Sequence, residues 1–284
     1  IFPVKRQFPK GKRTLMPVTV SHPVLSVGFK KFGLVLSALV VGSMMPDFEF
    51  FLRLSSGRVI GHTFEGIFLF CIPLGLVVLF LFHKLMKFPL LSLVPHNHQL
   101  RLYPLARRFS FFPLKNFLNI VFSLFVGSFT HLIADAFTHH DGFFVERISL
   151  LSEPVVVLPH GTIRVYFLLQ YLISTVGALF LVYWYLKWYY RADPEKQVIP
   201  HRFHISRKVG IVLSIVIFAL SMGITYGVML AKGNGKIELA KSMISLSAIA
   251  SASGLMIGLI GFGIMWHFFI PHHKRVEVLE SEEA

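Results

Sequence analysis

Five stretches of the chain run for about twenty residues or more with scarcely a charge, long enough to cross the hydrocarbon core of a bilayer as helices. They are 66–86, 117–137, 163–187, 208–231 and 243–269. A sixth apolar run, 32–45, is only about fourteen residues, a length that suits a buried or re-entrant helix better than a full crossing. It is followed by Pro46, which ends or kinks a helix. The pattern predicts an all-α integral membrane helical bundle: five transmembrane helices plus one short buried or re-entrant helix.

Composition agrees with that pattern. The chain has 284 residues, of which 54% are hydrophobic and 30 are Phe, too apolar for an ordinary soluble domain. The formal charge of +14 would suggest nucleic acid in a soluble protein. Here the Lys and Arg residues lie between and beside the apolar runs, so they read as topology signals and contacts to anionic lipid, and no nucleic-acid partner is expected. The single cysteine, Cys71, lies inside the first span and excludes an intrachain disulfide. Residues 1–15 form a basic tail without the apolar core of a signal peptide. The expected organisation is a tail (1–15), a metal-site membrane domain (16–190), a basic cytoplasmic loop (191–207), a two-helix extension (208–271) and a charged tail (272–284).

With five crossings, residues 1–65 and the loops 139–162 and 232–242 share one side of the membrane. The other side holds the loops 87–116 and 188–207, where Lys87, Arg101, Arg107, Arg108, Lys115, Arg191 and Arg202 gather. The positive-inside rule makes that second side cytoplasmic, although the basic residues before Met16 run against it.

Sorting the polar residues by side exposes candidate chemistry. His131, Asp135 and His139 are spaced four apart at the end of the second span, which would stack two imidazoles and a carboxylate on one helix face. Ionisable groups there are costly unless paired, hydrated or bound to metal. The same side receives His22, in Ser21-His22-Pro23, where Ser21 could cap a short helix with Pro23 in its first turn. It receives Asp47 after Pro46, where an acid following a helix C-terminus opposes the helix dipole and wants a cation. It also receives His62, in Gly61-His62-Thr63, and the acid Glu49, which has no assigned role. His140 adjoins the cluster and His160 reads as a loop histidine, while His83 should snorkel at the opposite, cytoplasmic edge. Mixed imidazole and carboxylate donors suit zinc, with Mn²⁺ or Fe²⁺ as alternatives, and disfavour the all-oxygen sites of Ca²⁺ and Mg²⁺. The surplus of donors would serve two ions bridged by a carboxylate, an arrangement used in phosphoester hydrolysis.

The strings Met16-Pro17-Val18-Thr19-Val20-Ser21-His22-Pro23, Gly42-Ser43-Met44-Met45-Pro46-Asp47-Phe48-Glu49, Gly61-His62-Thr63 and His131-Leu132-Ile133-Ala134-Asp135-Ala136-Phe137-Thr138-His139 resemble an uncharacterised bacterial membrane family, one of the domains of unknown function. That family is similar to membrane-bound metal-dependent hydrolases, which share a ligand order with zinc-dependent phospholipase C and the single-strand-specific zinc nucleases. The resemblance covers about 16–177 and implies His22, Asp47, His62, His131, Asp135 and His139 as metal ligands. It departs from the soluble zinc enzymes where they carry a later H-x-x-x-E helix, because the chain there reads Gln170-Tyr171-Leu172-Ile173-Ser174. It departs again at the mature N-terminal amine that those enzymes use as a ligand, since a tail precedes the first motif here.

The last two spans carry small residues at helical spacing, Gly223 and Gly227, then Gly254 and Gly258, which would pack the two helices together or drive a homodimer. The resulting expectation is a multi-pass protein of the bacterial inner membrane that hydrolyses phosphoesters of lipids or lipid-linked substrates with zinc, Asp47 serving as general base or bridging ligand. The alternative is a non-enzymatic transporter or interaction scaffold. Ionisable groups at one end of the spans, and no visible internal repeat, favour the hydrolase over the transporter.

Overall fold

The structure is a computed structural model in which residues 22–55, 60–158, 161–195, 198–200, 203–270 and 276–278 are described. The basic tail, Ser21, His160 and Arg202 lie outside the described residues. Five helices are long and apolar enough to cross a membrane. In chain order the elements are α1 (Pro23–Val27, prolonged by a 3₁₀ turn, Gly28–Phe32), α2 (Leu36–Arg53), α3 (Phe64–Leu93), α4 (His96–Arg107), α5 (Leu114–Thr138) and α6 (Ser149–Ser152). A hairpin of β1 (Pro154–Leu158) and β2 (Gly161–Arg164) precedes α7 (Val165–Arg191). Then come β3 (Val198–Pro200), α8 (Ile205–Leu230), α9 (Lys236–Phe269) and β4 (Val276–Val278), which pairs antiparallel with β3. The protein is a helical membrane bundle whose five spans are α3, α5, α7, α8 and α9. The β1–β2 hairpin and the two-stranded pairing of β3 with β4 lie outside the five spans.

The segment from His22 to Arg53 makes a re-entrant hairpin against α5. His22 sits beside Asp135 near the C-terminal end of α5, and the Gly33 carbonyl accepts a hydrogen bond from Asn119 Nδ2 near its start. Those two points on α5 are sixteen residues apart, about 24 Å along the helix. Gly33 turns the chain with φ +84°, a left-handed conformation open to glycine, and α2 then runs back parallel to α5. Ser123 Oγ accepts from Val35 N–H, and further along Ser128 Oγ donates to the Gly42 carbonyl.

The short apolar run is therefore longer than the sequence suggests, because α2 continues through Pro46 to Arg53. Proline removes the N–H that would bond to the carbonyl four residues back, which is that of Gly42. The Ser128 hydroxyl takes that carbonyl instead, at 2.9 Å, so the helix survives its proline. At its far end the last two spans reach over α2: Ser253 Oγ donates to the Phe51 carbonyl and Tyr226 OH to that of Leu54, carbonyls a helix end leaves open.

Within the last two spans, a Cβ added at Gly223 or Gly227 would collide with Ser251 or Ser247 of α9. These glycines are used within the chain, where they let α8 and α9 approach closely. His83 does not snorkel; its Nε2 is 3.1 Å from Ser37 Oγ and its ring stacks on Phe109 with centroids 3.4 Å apart.

Candidate metal centre

The hairpin, the turn before α3 and the end of α5 bring the predicted residues together. His22 is the N-cap of α1, directly before Pro23, and its ring is buried against His131 with centroids 4.1 Å apart. Asp47 lies inside α2 rather than after its end, so the helix-dipole argument for a free carboxylate does not hold. Its side chain reaches the centre because the turn of α2 beyond Pro46 faces α5. His131 and Asp135 are one turn apart on α5 and both buried. His139 is the C-cap residue, with extended backbone, and does not continue the helix face. Its ring folds back so that Nδ1 lies 3.2 Å from Asp135 Oδ1.

Asp135 sits at the middle of this constellation with its two oxygens divided. Oδ1 is 3.3 Å from His22 Nε2 as well as 3.2 Å from His139 Nδ1. Oδ2 is 3.5 Å from both His62 Nε2 and His131 Nε2. Asp47 Oδ1 closes the far side, 3.2 Å from His62 Nε2 and 3.7 Å from His131 Nε2. The ligand atoms of Asp47, His62 and His131 all lie within 4.8 Å of one another, as do those of His22, His131 and Asp135.

These spacings meet a simple fit test. Four donors at about 2.0–2.1 Å from a tetrahedral zinc ion stand about 3.3–3.4 Å apart. The four N···O edges among Asp47, His62, His131 and Asp135 bracket that value. Charge makes the same point: His131 Nδ1–H donates to the Ser43 carbonyl at 2.7 Å, which leaves Nε2 aimed at two carboxylates. Nε2 is buried and makes no hydrogen bond among the described residues. An unprotonated nitrogen against a carboxylate is repulsive unless a cation, a metal ion or a shared proton, stands between them, and a backbone-tied second ring nitrogen is the usual partner of a metal-ligating histidine.

The turn carrying His62 is built to hold it. Glu49, buried to 4% exposure, accepts the Gly61 N–H at 2.9 Å and the Ile60 N–H at 3.1 Å through Oε2. Thr63 Oγ1 accepts the Gly66 N–H as the cap of α3, and Cys71 Sγ lies 3.6 Å from the Gly61 carbonyl. A Cβ at position 61 would fall 2.6 Å from the Pro46 carbonyl, so only glycine fits. Glu49, an acid without a role in the sequence, positions His62. Glu49→Ala should cost about 2–3 kcal/mol of stability through one buried and one half-buried charged hydrogen bond, together with the loss of the Arg53 ion pair at 3.4 Å. It should also weaken metal binding about 10–100-fold. Thermal unfolding and zinc titration in detergent measure both, and unchanged zinc affinity would refute the positioning role.

His139 lies outside both close-packed triads, and its Nε2 is 3.1 Å from Gln170 Nε2 on α7. It is placed to orient Asp135 from outside the centre. Gln170 stands where the expected later ligands are missing, and a lone amide in an otherwise apolar span was the signal for it. His140 is exposed.

No curated protein and no solved structure matches the chain. The family match runs well beyond Gly177, the limit of the resemblance, and takes in α8 and most of α9, in keeping with their contacts to α2. Through that match, which spans residues 16–264, the chain belongs to the family defined by the domain of unknown function DUF4184.

Proposed function

We propose that the protein is a membrane-embedded, transition-metal-dependent hydrolase acting on phosphoesters of lipids or lipid-linked substrates. One observation carries the reading: donors from three separate segments converge at the N···O spacing of a tetrahedral ion, near one end of the spans. His22, Asp47, His62, His131 and Asp135 would hold the metal, with zinc the best fit to mixed N and O donors and Mn²⁺ or Fe²⁺ the alternatives. Zinc bound there would supply a nucleophile from water near neutral pH and neutralise charge on phosphoryl oxygens.

The roles of the chain's own groups follow from their geometry. Asp135, with one oxygen toward His22 and the other toward His62 and His131, suits the bridging position if two ions bind. Asp47 is the less enclosed carboxylate, its side chain 14% exposed against 7% for Asp135, so it is the donor that would give up its position to an attacking water and take the proton. His139 and the Ser43 carbonyl keep Asp135 and His131 in place. The centre lies within about a turn or two of the end of α5, where a lipid could present its headgroup without leaving the bilayer. The bias of Lys and Arg toward the opposite end supports an extracytoplasmic site in a bacterial inner membrane.

The test is zinc- or manganese-loaded protein in liposomes, supplied with phospholipid and isoprenoid phosphate. Metal-dependent release of headgroup or phosphate is expected. Asp47→Asn should lower the rate by about 10²–10⁴-fold, the usual worth of a general base. Release that is absent, or independent of metal and of Asp47, would overturn the hydrolase and favour a transporter or scaffold.

A further inference from the structure

A furrow of about 860 Å³ separates the descending arm of the re-entrant hairpin from α7. Val24, Leu25, Leu172, Val176 and Phe180 line it, and all but Val24 are exposed apolar side chains on a spanning helix or the hairpin beside it. At one end lie Lys30 and Lys31, both exposed, with Trp184 opposite them. The bond between Asn119 and Gly33 fixes that end near the start of α5, away from the metal centre. From Leu172 to Trp184 the wall rises about 18 Å, close to one leaflet of a hydrocarbon core about 30 Å thick. The volume falls in the ordinary range of small-molecule sites.

We infer that this furrow binds an anionic phospholipid of the leaflet opposite the metal centre, its phosphate on Lys30 and Lys31 and one acyl chain along α7. Charge sets the polarity of the occupant. The two ammonium groups stand at the end nearer that leaflet's surface, where basic side chains attract anionic headgroups, and an interfacial tryptophan belongs at the same level. The other end is lined by the apolar Val24 and Leu172, which suit a chain terminus and offer a headgroup nothing. A lipid seated here would brace α1, whose N-cap is His22. The inference stands independently of any hydrolase activity.

Native mass spectrometry of the full-length protein in detergent, titrated with phosphatidylglycerol or phosphatidylcholine, tests it. Phosphatidylglycerol should be retained in preference to phosphatidylcholine. Lys30→Gln/Lys31→Gln should lose about twenty-five-fold in phosphatidylglycerol affinity, each lysine contributing about a factor of five, while Lys30→Arg/Lys31→Arg keeps it. Gly28→Phe should abolish retention by filling the furrow, because a Cβ there meets nothing within 4 Å and the ring can enter without displacing backbone. Equal retention of the two lipids, or unchanged phosphatidylglycerol affinity in the glutamine variant, would overturn the site. A dimer seen with both lipids and lost in Gly28→Phe would assign the furrow to a second copy of the chain and overturn it equally.

Discussion

Asp135→Asn should strip the purified protein of zinc. The wild type is expected to retain stoichiometric zinc through washing, and the variant to bind it more than about 100-fold more weakly, since losing even an outer partner of a ligand costs about 10–100-fold. Asparagine keeps the size of the side chain, so the stacked rings of His22 and His131 keep their packing while the carboxylate shared among four imidazoles is gone. His131→Ala should give the same loss of metal. Stability supplies the decisive contrast. Metal at about 1,000 times its dissociation constant stabilises the folded form by about 4 kcal/mol, so a chelator should lower the unfolding temperature of the wild type and leave Asp135→Asn where it was. If the cluster is instead held by shared protons, the chelator will not move the wild type at all. Asp135→Asn would then be destabilising by itself, because buried imidazoles would lose their counter-charge.

The sequence made the spans readable for a plain reason. A bilayer demands about twenty apolar residues per crossing, and each of the five runs meets that demand without help from the rest of the fold. The convergence of His22, Asp47, His62, His131 and Asp135 was legible for the same reason, since counting crossings assigns each of them a side. What stayed hidden was set by contacts between segments distant in the chain. Pro46 reads as the end of a helix because the hydroxyl that replaces its lost bond comes from Ser128, far along on α5. Asp47 consequently looked like a residue beyond a helix and is one within it. Besides the ion pair with Arg53 at 3.4 Å, Glu49 is bound to the backbone N–H groups of the turn at Ile60 and Gly61, and these, which link it to His62, carry no residue signature. His139 fits the four-residue spacing of a helix face, yet the helix ends at Thr138 and the ring reaches Asp135 from a cap position. The small-residue stripe on α8 was correctly seen as a contact surface, but spacing alone could not tell an internal partner from a second copy.

The same dependence on α2 and α5 predicts that a single methyl group clashing with Leu124, which is no ligand, should disable the centre. At Gly42 an added Cβ would lie 2.4 Å from the Leu124 carbonyl oxygen and 2.9 Å from its Cα, and at Gly127 it would lie 2.4 Å from the Leu39 carbonyl. These are backbone atoms of the facing helix, which cannot rotate away as a side chain could. Gly42→Ala must therefore push α2 and α5 apart. Overpacking of this kind costs about 1–3 kcal/mol, and contact with rigid backbone puts the expected loss at the upper end. The displacement would also stretch the two bonds that join the helices next to the site, Ser128 to the Gly42 carbonyl at 2.9 Å and His131 Nδ1 to the Ser43 carbonyl at 2.7 Å. With the second bond weakened, His131 is no longer held with Nε2 toward Asp47 and Asp135, and zinc affinity should fall about 10–100-fold although every ligand is intact. Gly210→Ala is the control, since a Cβ there meets nothing within 4 Å in the interior of α8. It should leave zinc binding untouched and stabilise the protein by about 0.4–1 kcal/mol through the unfolded chain. Zinc titration and thermal unfolding of both variants decide the matter, and a Gly42→Ala protein as stable and as tightly metallated as the wild type would mean that the helices do not meet at Gly42 and Leu124.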